Sequence, residues 1–228
     1  KVYERTSPIP EQESPGAGGS GMAGGNGEKT GETEGAEEEV PAEIPFDDLG
    51  TVEWARSAIE TLYARGAISG IEERKFDPDA KVTREQFVKM AVGTFGLEPA
   101  DEESGFADAE ADAWYAPYLA AARKYRVING YGNGLFGVGD PITREDMAAI
   151  LYRLSNAVLD ITLPEPEPDS FADSAQVADY AREAVGTMAA LGVVRGREDG
   201  CFAPQSMTTR AETAVMLYRL IEVTGGNT

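Results

Sequence analysis

Three Thr-Arg pairs, Thr83-Arg84, Thr143-Arg144 and Thr209-Arg210, recur in this chain within "VTREQF", "ITREDM" and "TTRAET". An arginine guanidinium is a rigid fork of N–H donors that matches a carboxylate or phosphate through two parallel hydrogen bonds. Three positions after each Thr stands Gln86, Asp146 or Glu212. A Thr followed three residues later by an amide or acid is the pattern of a capping box at a helix start. Each such cap contributes about 1 kcal/mol. Asp146 is short for the reciprocal bond, so the middle box is expected to be the weakest. Capping accounts for the Thr and the acid or amide, but not for the Arg. A cation in the first turn opposes the helix dipole by roughly 0.3–1 kcal/mol. Placing one there three times needs a partner. Two partners fit: a carboxylate of a neighbouring unit, such as Asp48, Asp108 or Asp173, or an anionic ligand. The second draws on a helix N-terminus, whose N–H groups together with the guanidinium can hold a carboxylate or phosphate.

The elements that must position these arginines also repeat. Phe46/Asp48, Phe106/Asp108 and Phe171/Asp173 open three units. Trp54, Trp114 and Tyr180 follow, and from each it is sixteen residues to Gly70, Gly130 and Gly196, six more to Phe76, Phe136 and Phe202, and eight more to the Arg. Even spacing of this size is the mark of a repeated structural unit. Within each unit, apolar residues at 0, 4, 5 and 8 from the aromatic predict a first helix (Trp54, Ala58, Ile59, Leu62; likewise from Trp114 and from Tyr180),. Residues at 3, 6 and 7 beyond the Arg (Phe87, Met90, Ala91; Met147, Ile150, Leu151; Thr213, Met216, Leu217), apolar except Thr213, predict a second helix, begun by the capping Thr. The chain thus divides into repeats at 46–98, 106–159 and 171–224.

Residues 1–45 are different. They are rich in Gly, Glu and Pro, carry 3 Lys or Arg against 10 Glu, and have almost no large apolar side chains. Such a stretch cannot bury enough surface to offset its ordering entropy and reads as a disordered acidic linker. The chain begins with Lys1 rather than Met and reads as a piece of something longer.

Composition narrows the chemistry. The net charge is −20 and there is no histidine. Nucleic acid and anionic membranes, which need broad positive charge, are poor partners. A single Cys201 rules out an internal disulfide framework and a cysteine metal cluster,. No calcium loop, Walker loop or nucleophile elbow is present, so neither a metal, a cofactor nor catalysis is expected. No apolar run is long enough to insert in a membrane.

Other residues could also contact a ligand. Gly70, Gly130 and Gly196 begin the loop that faces the second helix, where bare backbone allows close approach, although a turn requirement alone would explain them. Tyr131 follows its glycine and is a candidate for ligand contact. Trp54, Trp114 and Tyr180 could stack on a flat face of a ligand, but their place on the apolar stripe favours the core.

With these motifs in fixed order in all three units, residues 46 to about 224 resemble three tandem S-layer homology (SLH) domains. The resemblance implies an all-α fold of three helix-loop-helix repeats closed into a pseudo-threefold trimer within one chain. It implies an extracellular, non-catalytic module that holds a secreted bacterial protein on the cell wall. The implied ligand is a secondary cell-wall polysaccharide ending in pyruvylated N-acetylmannosamine, whose carboxylate meets the motif arginine in grooves between repeats. Arg84, Arg144 and Arg210 are the matching positions. Surface-layer proteins, or a domain upstream of Lys1, are further candidate partners. The alternative is a helical assembly module that packs against other chains and binds no glycan.

The units depart from the family pattern in places. The third unit keeps the pattern's Ala and Glu as Ala211 and Glu212, whereas Glu85 and Gln86 in the first and Glu145 and Asp146 in the second stand in their places, and the extra carboxylate beside the Arg could compete with a ligand for it. Arg74 replaces the loop glycine kept as Gly134 and Gly200, so the first loop is expected to differ in shape. Arg126 replaces the helix-ending glycine kept as Gly66 and Gly192. Judged by its own motif, the groove of Arg210 ranks first.

Overall fold

The capping threonines start three helices and the aromatics of each unit precede three more. The computed structural model describes residues 44–159, 161–167 and 169–225. Six helices follow in order: α1 Arg56–Ala64, α2 Arg84–Thr94, α3 Ala116–Lys124, α4 Arg144–Ala157, α5 Arg182–Ala190 and α6 Arg210–Val223. Among the described residues there are no strands, only isolated bridges. The disorder expected for 1–45 falls on residues outside those described, apart from Ile44 and Pro45.

The caps form as the spacing implied. Thr209 accepts from the Glu212 N–H at 3.2 Å, and Glu212 Oε2 accepts from the Thr209 N–H at 2.9 Å. Thr83 N–H likewise donates to Gln86 Oε1 at 3.1 Å. The middle box is half made: Thr143 accepts from the Asp146 N–H at 3.2 Å, while the short Asp146 side chain turns elsewhere.

Helices of one unit do not pair chiefly with each other. α2 lies on α3, α4 on α5, and α6 returns to α1, so each second helix covers the first helix of the next unit and the last closes onto the first. At the centre, the residue before each capping Thr joins a ring of backbone bonds. Ile142 N–H donates to Val82 O at 2.9 Å, Val82 N–H to Thr208 O at 3.2 Å and Thr208 N–H to Ile142 O at 3.2 Å. All three residues are fully buried. This ring is the pseudo-threefold axis, and it is an intrachain trimer because residues 126 apart, Val82 and Thr208, complete it.

Around the axis the core repeats as well. Phe76, Phe136 and Phe202 are fully buried, each beside the Phe that opens its unit at ring distances of 5.3–5.4 Å. Asp48, Asp108 and Asp173 hold the loop before the second helix. They accept the backbone N–H of Phe76 and Asp77, of Phe136, Gly137 and Val138, and of Phe202 and Ala203.

Two expectations about loops and core require correction. The first loop is not shaped differently. Arg74 takes φ 60, as Gly134 takes 85 and Gly200 takes 76. Its carbonyl accepts from Asp47 just as those of Gly134 and Gly200 accept from Ala107 and Ala172. A bidentate contact of the Arg74 guanidinium with Asp47, at 2.7 and 2.5 Å, accompanies this left-handed residue. Nor are Trp54, Trp114 and Tyr180 core residues, being 61, 53 and 56% exposed. They sit in 3-10 or irregular turns ahead of the helices, so the α-helical phase that placed them on the apolar stripe does not apply to them. The buried residue is the next one along: Ala55, Tyr115 and Ala181.

Candidate functional site

An arginine at the first helical position must send its long side chain away from its own dipole. Here each one crosses the seam into the next unit. Arg84 Nε donates to Phe136 O at 2.9 Å, Arg144 Nε to Phe202 O at 2.7 Å and Arg210 Nε to Phe76 O at 2.8 Å. Each guanidinium also stacks on the ring of that same Phe, at 5.0, 5.1 and 4.4 Å. A carbonyl at each guanidinium, backed by a π face, supplies the compensation that the dipole denies.

The seams differ in what else meets the guanidinium. Arg84 Nη1 is 2.8 Å from Asp146 Oδ2. Arg144 Nη1 is 3.6 Å from Glu212 Oε1, and its Nη2 donates to Arg195 O at 2.9 Å. Arg210 Nη2 donates to Ser69 O at 2.8 Å, and the third helical residue across its seam is the neutral Gln86. So the carboxylates that meet arginines are the capping residues of the next unit, not Asp48, Asp108 or Asp173. Arg84 and Arg144 are buried, Arg210 only partly. Burial disfavours the charged forms of Arg144 and Arg210. Glu212 offsets this for Arg144, and Asp77 and Asp48 act in the same direction at longer range on Arg210.

The free N–H groups expected at the helix starts are already used. Arg84 N–H donates to Asp140 O, Arg144 N–H to Ser206 O and Arg210 N–H to Ala80 O, at 2.9–3.0 Å. These first helical N–H groups are therefore not available to an anion. Glu85 and Glu145 do not compete for the arginines either. Buried, they turn to the next unit: Glu85 accepts from Gly139 N–H at 3.0 Å, and Glu145 from Ala178 N–H at 3.0 Å, from the Tyr180 hydroxyl and from the Gln205 amide.

Two seams open into cavities. One, of about 390 Å³, is lined by Arg84, Gly130, Tyr131, Asp146, Arg153 and Tyr180 among others. Tyr131 lies over the Arg84 guanidinium at 4.7 Å and donates its hydroxyl to Asp140 at 2.8 Å. Burial and the Asp140 contact push its phenol up to about 12. The Tyr180 hydroxyl donates to Asp146 at 2.9 Å, and burial with the nearby Asp146 and Glu145 pushes that phenol up further. The second cavity, of about 470 Å³, is lined by Ser69, Gln86, Lys89, Trp114, Tyr118 and Arg210 among others. Lys89 Nζ stands 5.7 and 5.9 Å from the Trp114 and Tyr118 rings.

Gly70, Gly130 and Gly196 answer first to packing. A Cβ on Gly130, which has φ 68, would lie 2.3 Å from Leu135 O and 2.8 Å from the Phe106 ring. On Gly70 it would meet Lys75 O at 2.7 Å and the Phe46 ring at 2.8 Å. Lys89 and Arg153 were not legible as groove residues, because the cation moves from the fifth position after the motif arginine in α2 to the ninth in α4. Among the described residues no group of three or more acids or cysteines could hold a metal ion, and no helix is long and apolar enough to cross a membrane.

Three interlocked units around one axis, with their arginine side chains in the seams, define a closed helical repeat module. The chain belongs to the S-layer homology domain family, which matches it at residues 45–88, 105–148 and 170–214. The S-layer protein sap of Bacillus anthracis is 30% identical over 176 residues, covering 76% of this chain and 21% of that protein. An S-layer protein of Bacillus thuringiensis subsp. finitimus is 29% identical over 176 residues, covering 76% and 21%. An amylopullulanase of Thermoanaerobacterium thermosulfurigenes is 33% identical over 180 residues, covering 79% and 10%. The chain spans between a tenth and about a fifth of the length of these relatives. As an SLH module it is a cell-wall-anchoring part of a surface protein.

Proposed function

We propose that the chain anchors its parent protein by binding an anionic, pyruvylated secondary cell-wall polysaccharide in the grooves between repeats. Arg84, Arg144 and Arg210 are the candidate contacts for the ligand carboxylate. Gly70, Gly130, Gly196 and Tyr131 are candidate wall residues, and Trp54, Trp114 and Tyr180 are candidate stacking platforms. The observation that carries this reading is the seam of Arg210, where a guanidinium, Lys89 and a 53% exposed Trp114 share one cavity. Cation and exposed indole together suit a sugar that bears a carboxylate: the guanidinium pairs with the acid and the ring packs on the apolar face of the pyranose. A net −20 chain gains nothing from general attraction to an anionic polymer, so recognition must be local,. The module itself does no chemistry in this reading, and any catalytic activity belongs to parts of the parent protein outside this chain.

Co-sedimentation of the chain with cell-wall sacculi tests the proposal. Binding to native sacculi that is lost once the secondary polysaccharide is extracted is the expected result. Equal binding to both preparations would contradict it, and self-association without any wall binding would favour a protein assembly module.

A further inference from the structure

Two seams already contain a carboxylate of the protein at the guanidinium, and among the described residues the third has none. We infer that the chain has a single ligand-competent groove, that of Arg210, and that Asp146 and Glu212 act as built-in occupants which close the other two to a glycan carboxylate. This rests on the glycan reading above and narrows it to one site per chain.

The difference comes from one side chain. The third residue of the second helix is Asp146 in α4 and Glu212 in α6, but Gln86 in α2. Asp146 is 2.8 Å from Arg84, and Glu212 is 3.6 Å from Arg144. A glycan carboxylate arriving at either guanidinium meets a like charge and must displace it. Gln86 carries no charge. Because its Oε1 accepts the Thr83 N–H at 3.1 Å, the amide orientation is set and its NH₂ is left as a donor on the groove wall,. Arg210 spends Nε and Nη2 on Phe76 O and Ser69 O, and Nη1 has no partner among the described residues. Lys89 adds a second cation. Of the acids that act on Arg210, Asp48 is engaged by the N–H groups of Phe76 and Asp77, and neither Asp48 nor Asp77 lines the cavity. A partly buried guanidinium stays ionised, and among the described residues no carboxylate of the protein lies within ion-pair distance of Arg210, so the place of its partner is open to an incoming one.

Access differs in the same sense. The Arg84 guanidinium lies under Tyr131, whose hydroxyl is tied to Asp140, and Asp146 is also held by Tyr180. Arg144 is 4% exposed, whereas Arg210 is only partly buried beside an exposed Trp114.

The test is titration calorimetry of the full chain with a pyruvylated N-acetylmannosaminide, a probe with one carboxylate. The parent chain is expected to show one site. Gln86→Glu keeps the capping box but supplies the missing carboxylate, and is expected to weaken that site roughly tenfold or more. Gln86→Met, which removes the polar head without adding charge, is expected to weaken it much less. Asp146→Asn with Glu212→Gln is expected to raise the stoichiometry above one. Two or three sites in the parent chain, or a Gln86→Glu variant that binds as the parent does, would overturn the inference while leaving the glycan reading intact. No heat with any variant, including the opened double variant, would instead contradict the glycan reading itself.

Discussion

Arg210 Nε donates to the carbonyl of Phe76 at 2.8 Å across 134 residues of chain, and with that bond the third repeat closes on the first. The same bond from Arg84 and Arg144 links first to second and second to third. Each arginine is therefore a seam residue before it is anything else. In the proposed reading binding and folding share the same side chains, so variants of these arginines need a folding control.

Ring closure makes the repeats interdependent. Removing residues 165–228 takes away α5 and α6, and so leaves α4 without α5, α1 without α6, and Phe76 O without its donor. The truncated chain is expected to lose its cooperative thermal transition by circular dichroism and to bind no polysaccharide. A soluble two-repeat fragment that melts sharply and binds would show that closure is dispensable.

Left-handed residues other than glycine mark places where stability can be gained. Arg126 has φ 60 where Gly66 and Gly192 end the equivalent helices, and Ala203 has φ 57 where Gly137 sits in the second loop. A Cβ in this region costs about 1 kcal/mol. Arg126→Gly and Ala203→Gly are each expected to raise unfolding free energy by about that amount in urea titration, and a fall would mean that the native side chain makes a contact outweighing its strain.

Thr213 is fully buried, and its hydroxyl has no hydrogen-bond partner among the described residues. Its counterparts, Phe87 and Met147, are apolar and fully buried too. Thr213→Val keeps the shape and removes the orphaned hydroxyl, so a gain of about 1–2 kcal/mol is expected in the same titration. A loss would imply an unseen partner for the hydroxyl.

Acid should weaken the second loop. Burial raises the Asp108 carboxyl, but the N–H groups of Phe136, Val138 and Gly137 outweigh it and hold the group below the ordinary carboxylate range. A group depressed in the folded state adds stability that is complete above its unfolded value of about 3.9 and disappears as pH falls through the lower, folded one. Asp108→Asn is expected to lose about 2 kcal/mol near neutral pH, and to flatten the acid limb of the stability profile below about pH 4. An unchanged acid limb would mean that other carboxylates carry it.

Much of the fold could be read from spacing. A constant offset from aromatic to arginine located all three capped helices, because a cap is a local interaction between residues three apart. What spacing could not reveal is which unit each side chain serves. Glu85 and Glu145 look like neighbours of the arginines in sequence, yet they hold Gly139 and Ala178 of the following units. Asp146 and Glu212 read as caps alone, although their carboxylates also face Arg84 and Arg144 across the seams. The aromatics misled for a different reason: an α-helical wheel was extended over turns that are not α-helical, which put Trp54, Trp114 and Tyr180 inside when they are on the surface. Lys89 carried no signal, since no other unit has a cation at that position.

The most direct test of the account is calorimetric binding of the full chain to purified secondary cell-wall polysaccharide, before and after mild acid removes its pyruvate ketals. Binding that is lost with the pyruvate, and lost equally in Arg210→Ala chain that still melts cooperatively, is the expected result. Undiminished binding to the depyruvylated polymer would contradict recognition of a ligand carboxylate by the groove arginine.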